Sequence, residues 1–159
     1  MRSLNKNSKI ETIGFDLSDV SKLVKEHLLP LLIDRPIITF SGPLGVGKTT
    51  IIKELLRQSG VAGVVDSPTF GYVKGYKSEK WGLFNHFDLY RLSGVDDFIN
   101  AGFEEYLNKN SGIVLIEWPE VIDKLLMVGE ISKRVYSVDL KYASNDCMCE
   151  RVFVVKKNH

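Results

Sequence analysis

The chain has 159 residues, 44% hydrophobic and 26% charged, which supports one core of ordinary size and excludes a wholly disordered or collagen-like chain. Lys and Arg number 21 against 20 Asp and Glu, and a net charge of +1 gives no support to direct binding along nucleic-acid backbones. No apolar block follows the basic residues after Met1 and no apolar run is long enough to span a bilayer, so a cytoplasmic protein without membrane contact is expected.

In chain order, Ile10 to Phe15 offers a short strand, and Ser18 is placed to cap a helix. Its apolar residues Val20, Leu23, Val24, Leu28, Leu31 and Leu32 recur at helical spacing, with Pro30 kinking or ending it. Pro36 to Phe40 is an apolar, β-branched run that leads through Ser41 into a glycine-rich segment. Ile51, Ile52, Leu55 and Leu56 then mark one face of a helix that stops near Ser59 and Gly60. The stretch from Val61 to Lys80 is irregular and reads as a mobile segment feeding a strand at Trp81 to Tyr90.

Val95, Phe98, Ile99, Gly102, Phe103, Tyr106 and Leu107 trace an amphipathic helix, with Ser93 and Asp96 as its capping box. Ile113 to Ile116 is an uninterrupted apolar strand that ends at Glu117, as expected of a central parallel strand covered on both faces. Val135 to Tyr142 and Arg151 to Val155 close the chain as two strands joined by a turn. Two cysteines, Cys147 and Cys149, have neither a second pair nor a nearby His to complete a zinc set, and suit a reducing compartment. With no repeat or linker, the order predicts one α/β domain over 1–159, a mostly parallel sheet flanked by helices with an antiparallel element at the C-terminus.

The strongest chemical signal is Gly42-Pro43-Leu44-Gly45-Val46-Gly47-Lys48-Thr49, which satisfies the phosphate-loop pattern G-x-x-x-x-G-K-[ST]. From this composition an accidental match arises in about one such chain per hundred, before the flanking strand and helix are demanded. Glycines let backbone N–H groups approach a triphosphate, and the helix that follows aims its free N–H groups at the anion. Lys48 is suited to the β and γ phosphates and the Thr49 hydroxyl to a Mg²⁺ that bridges them, with Thr50 a further phosphate contact. Acids at the ends of neighbouring strands complete such sites, and Asp88 and Glu117 are the candidates. Between loop and Asp88, Ser67-Pro68-Thr69 reads either as a Ser-Pro turn or as a switch whose Thr69 senses the γ phosphate or Mg²⁺.

The combination of S-G-P-L-G-V-G-K-T-T at 41–50, S-P-T-F at 67–70, H-F-D-L-Y-R-L at 86–92 and I-E-W-P-E at 116–120 resembles the TsaE family, the bacterial ATPases of tRNA threonylcarbamoyladenosine biosynthesis. The resemblance runs from about Asp16 to Arg151 and includes the acidic F-E-E-Y-L segment at 103–107. It implies a single P-loop NTPase domain that holds ATP phosphates on the 42–50 loop and Mg²⁺ on Thr49 and Glu117, with Asp88 near the γ phosphate and Trp118 and Glu120 as neighbours. It also implies two partners: TsaD, which transfers the threonylcarbamoyl group to adenosine 37 of tRNA, and TsaB, which supports TsaD. Slow ATP hydrolysis would reset that complex between turnovers, with tRNA met only indirectly. The family commonly has Asp where this chain has Pro43 and Ala or Ser where it has Val46; Pro43 removes one backbone donor from the loop.

Two enzyme readings compete. A small-molecule kinase shares the loop, but the six arginines, Arg2, Arg35, Arg57, Arg91, Arg134 and Arg151, form no basic cluster suggesting a phosphate lid. A GTPase needs N-K-x-D, and Asn108-Lys109-Asn110-Ser111 lacks the Asp. A third reading is an adaptor whose nucleotide-bound state matters and whose hydrolysis is incidental.

Overall fold

Ile37–Ser41, the run between Pro36 and the glycine-rich segment, forms strand β2 in the middle of a seven-stranded mixed sheet. The computed structural model describes residues 11–68, 71–144 and 150–157, with only the backbone described for 11 and 12. The strands are β1 Glu11–Phe15, β2, β3 Val73–Ser78, β4 Gly82–Asp88, β5 Ile113–Glu117, β6 Val135–Tyr142 and β7 Arg151–Lys157, in the order β1-β7-β6-β2-β5-β4-β3. Parallel pairing joins β6, β2, β5 and β4. Pairing turns antiparallel at β6/β7 and β7/β1 on one side and at β4/β3 on the other. The parallel centre and the antiparallel C-terminal element are as expected, while the further antiparallel strands, β1 beside β7 and β3 at the other edge, correct the expectation of a mostly parallel sheet.

Helices cover both faces. On one, α1 Val20–Leu23 and α2 Lys48–Gln58 bury Leu23, Ile51, Ile52, Leu55 and Leu56 against Ile38, Phe40, Phe84 and Leu115 of the sheet. On the other, α3 Val95–Asn100 and the turns after β5 bury Phe98, Ile122 and Leu126 against Ile37, Phe87, Val114 and Ile116. Odd and even residues of β5 therefore face opposite helical layers, and all of them are buried.

Several local expectations change. Asp16, not Ser18, caps the first helical segment, because its carboxylate accepts from the Ser18 N–H at 2.6 Å while Asp19 accepts from the Asp16 N–H. That segment is not one α-helix: it passes through a π-helical turn at Val24–Leu28 and a 3-10 turn at Leu29–Asp34 that accommodates Pro30. His27 lies at the core edge, its ring 6.2 Å from that of Phe153.

The irregular stretch before β4 contains a strand of its own, β3, which alternates too weakly to stand out because Lys74, Gly75 and Lys77 lie on an exposed edge. The amphipathic helix of 95–107 is broken at Gly102 (φ 73°) into α3 and a 3-10 turn at Phe103–Leu107. Gly94 precedes α3 in extended conformation, without the side-chain cap expected of Ser93. Short α4 Asp123–Leu126 and α5 Gly129–Ser132 fill a stretch to which the sequence reading gave no element. Cys147 and Cys149 lie outside the described residues. Among the described residues no helix is long and apolar enough to cross a membrane.

Candidate functional site

Strand β2 delivers the chain at its carboxyl end into the glycine-rich loop, which returns directly into α2. The loop's conformation depends on glycine at two points. At Gly42 (φ 136°) a Cβ would collide with the Leu140 carbonyl of β6, and at Gly47 (φ 114°) the backbone opens α2 from the left-handed region. Val46 is fully buried in the core beneath α2, so its side chain anchors the loop and does not line the cleft above it. The Ser41 hydroxyl at the root of the loop donates to Asp139 of β6.

The cleft has a volume of about 220 Å³ and brings together Leu44, Gly45, Gly47, Lys48, Thr49 and Thr50 from the loop and α2 with Asp88, Tyr90, Glu117 and Trp118 from the ends of β4 and β5. Strand register explains the convergence. Asp88 pairs with Glu117, and Glu117 pairs with Phe40, so both acids sit level with the end of β2. Both lie in the alternation that faces α2, since Phe84 of β4 and Leu115 of β5 pack in the cluster beneath that helix.

The polar contacts are directed. The Thr49 hydroxyl lies 2.8 and 3.0 Å from the two Glu117 carboxylate oxygens and donates to that group. Glu117 is only 2% exposed, and its Oε1 also lies 2.9 Å from Nε2 of His86. The Lys48 ammonium donates to the Gly42 and Pro43 carbonyls at 2.6 and 2.9 Å and lies 3.9 Å from the centre of the Trp118 ring. Thus Pro43, which has no N–H to offer an anion, contributes a carbonyl that holds the lysine. Burial lowers the pKa of Lys48, opposed by the charges of Glu117, Glu120 and Asp88. Burial raises that of Asp88, with the Glu117 charge adding to the shift and the Tyr90 N–H opposing it from 3.1 Å.

Of the residues singled out in the sequence, Leu44, Gly45, Gly47, Lys48, Thr49, Thr50, Asp88 and Glu117 line one cleft, and Gly42 and Pro43 meet it through Lys48. Val46 supports it from below, and Thr69 lies outside the described residues. Trp118 lines the cleft, whereas Glu120 does not line it and acts on Lys48 through its charge. Two neighbours were not assigned from sequence. His86 has the same parity as Asp88 on a strand, a signal that was available. Tyr90, 57% exposed, packs at a tilt against Trp118 at 4.9 Å between centroids, and no spacing rule announces that contact. Trp118 also has φ 59°, unusual for a bulky residue and invisible in the sequence.

The α/β architecture and the cleft have counterparts among known proteins. The crystal structure of Bacillus subtilis YdiB superposes with a TM-score of 0.63, covering 98% of this chain and 90% of that one at 20% identity, which establishes a shared fold. The family described as threonylcarbamoyl adenosine biosynthesis protein TsaE matches residues 5–151. Proteins named tRNA threonylcarbamoyladenosine biosynthesis protein TsaE are similar to this chain. The one from Rickettsia prowazekii is 35% identical over 88% of this chain and 86% of its own length, and the one from Haemophilus influenzae is 37% identical over 74% and 73%. The chain belongs to the TsaE family.

Proposed function

We propose that this chain is a single-domain P-loop NTPase of the cytoplasm that binds and slowly hydrolyses ATP with Mg²⁺ in support of tRNA N6-threonylcarbamoyladenosine formation, acting with TsaD and TsaB and meeting tRNA only through them. The observation that carries the reading is the Thr49 hydroxyl facing the buried Glu117 carboxylate, one residue along from Lys48 at the head of α2. The membership in the TsaE family and the names of its relatives supply the biological setting.

The residues fit the group they would receive. A glycine-rich loop that runs straight into the head of α2, with a buried ammonium beside it, suits a polyphosphate, and a hydroxyl with a carboxylate is a hard-oxygen pair suited to Mg²⁺. Among the described residues no three His, Cys, Asp or Glu side chains could hold a metal by themselves, which agrees with a cation held partly by its phosphates. Thr49 and Glu117 would hold Mg²⁺, and the 42–50 backbone with Lys48 and Thr50 would hold the phosphates. Bound Mg²⁺ would supply charge neutralisation across the β and γ phosphates. Lys48 must exchange the Gly42 and Pro43 carbonyls for phosphate oxygens, so nucleotide entry loosens the loop from its own lysine. Asp88, whose raised pKa suits a group that orients water or accepts its proton, is the proposed catalytic acid-base residue.

The test is reconstitution with TsaD and TsaB, following modification of tRNA over many turnovers with ATP or a nonhydrolysable analogue, and with or without this chain. Sustained turnover that requires both the chain and hydrolysable ATP is expected. Equal turnover with the analogue would leave binding and remove hydrolysis from the proposal, and turnover indifferent to the chain would overturn it.

A further inference from the structure

His86 is fully buried in β4, on the face that packs against α2, and it does not line the cleft itself. Its register partner on β5 is Leu115, so Glu117 lies diagonally across, two residues further along the strand. Nε2 spans that diagonal to Glu117 Oε1 at 2.9 Å. Nδ1 is buried and has no hydrogen-bond partner among the described residues.

The contact with Glu117 fixes a proton on the ring. A carboxylate oxygen accepts, so the ring nitrogen that faces it, Nε2, carries a proton and donates it. A buried ring with an unsatisfied nitrogen is a poor choice for packing alone, since Leu or Phe would fill the space without that cost. Glu117, meanwhile, has few ways to stay oriented: the Thr49 hydroxyl holds it from one side, and that hydroxyl is the group a cation would recruit. Something outside the cleft must fix the carboxylate when Thr49 turns to the cation. His86 is the group in contact with it from behind.

We propose that His86 is a positioning residue whose Nε2–H holds the Glu117 carboxylate facing Thr49, and so sets the affinity of the site for its phosphate-bound cation. This rests on the function proposed above. A ligand carboxylate that is itself hydrogen-bonded keeps its orientation, and losing such support typically costs 10- to 100-fold in metal affinity.

The experiment measures binding of a fluorescent ATP analogue in EDTA and across a Mg²⁺ titration, without any turnover, for the wild-type chain, His86→Leu and His86→Gln. His86→Leu should raise the Mg²⁺ concentration at half effect about 10-fold or more while binding in EDTA stays within about twofold. His86→Gln, whose amide nitrogen reaches close to the position of Nε2, should recover most of the loss. His86→Asn, whose amide stops short of Glu117, should behave as Leu does and replaces it if that variant does not fold.

An unchanged Mg²⁺ response in the folded loss variant overturns the role of His86, as does an equal loss with and without Mg²⁺, which marks a general structural effect. A Gln variant as impaired as Leu also overturns it. Absence of any Mg²⁺ effect on the wild-type chain instead overturns the function itself and takes this role with it. In the metal-free chain, ¹⁵N spectra of the ring should show a proton on Nε2 with slow solvent exchange; a ring protonated at Nδ1 alone would contradict the geometry independently of any ligand.

Discussion

Two carboxylates flank the carboxyl end of β2, and they do opposite work. Glu117 of β5 pairs with Phe40 and faces α2, buried, with the Thr49 hydroxyl and His86 as its partners. Asp139 of β6 pairs with Ser41 and faces the other way, half exposed, binding the Ser41 hydroxyl and lying 3.8 Å from the Lys156 ammonium. The sheet's alternation decides this: Val138 and Leu140 take the α2 side of β6, so the acid between them cannot reach the loop's upper surface. One acid is aimed into the cleft and the other ties down the root of the loop. Position beside the glycine-rich loop is therefore not enough to assign a role; the face of the strand must be known too.

The largest effect expected on the cleft side is at Asp88. Asp88→Asn keeps the size and removes the charge, so hydrolysis should fall by roughly 100-fold or more, while affinity for ATP changes little. Single-turnover hydrolysis and equilibrium binding separate the two, and an unchanged rate would take Asp88 out of the acid-base role. Next comes Lys48→Ala, for which nucleotide affinity should drop on the order of 100-fold, since a charge-assisted contact to phosphate is lost from a partly desolvated site. The fold should persist, because the ammonium's hydrogen bonds go to its own loop and its contact with Trp118 lies in the cleft. Circular dichroism and calorimetric titration check both halves.

The direct test of the comparison sets Glu117→Gln beside Asp139→Asn. Glu117→Gln should raise the Mg²⁺ requirement of nucleotide binding about 10-fold or more, whereas Asp139→Asn should leave it within about twofold and lower the melting temperature by loosening the root of the loop. Equal Mg²⁺ effects in the two variants would break the distinction between the faces.

How much of this was legible in the sequence differs between the same two flanks. On the cleft side, the apolar run of Ile113–Ile116 ending in Glu117 and the glycine-rich pattern are short-range signals, and both survive in the structure at the places expected. Asp88 was found by its motif, and His86 could have been found by counting two residues back along the strand. The other flank was harder. That Asp139 meets Ser41, 98 residues away, depends on β6 lying beside β2 in the sheet, which local periodicity does not encode. The β3 strand was missed for a related reason: an edge strand needs only one buried face, and Val73–Ser78 buries only Tyr76 and Ser78. The helical break at Gly102 and the positive φ of Trp118 are tertiary choices, made where the chain must turn back onto the sheet.

The smallest predicted effect lies on the Asp139 flank and sharpens the comparison there. Asp123, at the start of α4, has its pKa raised by partial desolvation and then by the negative charge of Asp139, just as Asp88 is raised by burial and by Glu117 on the neighbouring strand. A carboxyl whose pKa is higher in the folded state resists ionisation there, so its contribution to stability is unfavourable at neutral pH and disappears as pH falls below the ordinary aspartate range. Asp123→Asn should therefore stabilise the chain slightly at pH 7, by a few tenths of a kcal/mol once solvent screening of this exposed group is allowed for, and the gain should vanish in acid. In an Asp139→Asn background the same substitution should gain less, because the repelling charge has already gone. Thermal melts of the four proteins between about pH 3 and pH 7 measure the coupling. A gain that is independent of pH, or that persists undiminished without Asp139, would show that the two carboxylates do not sense each other.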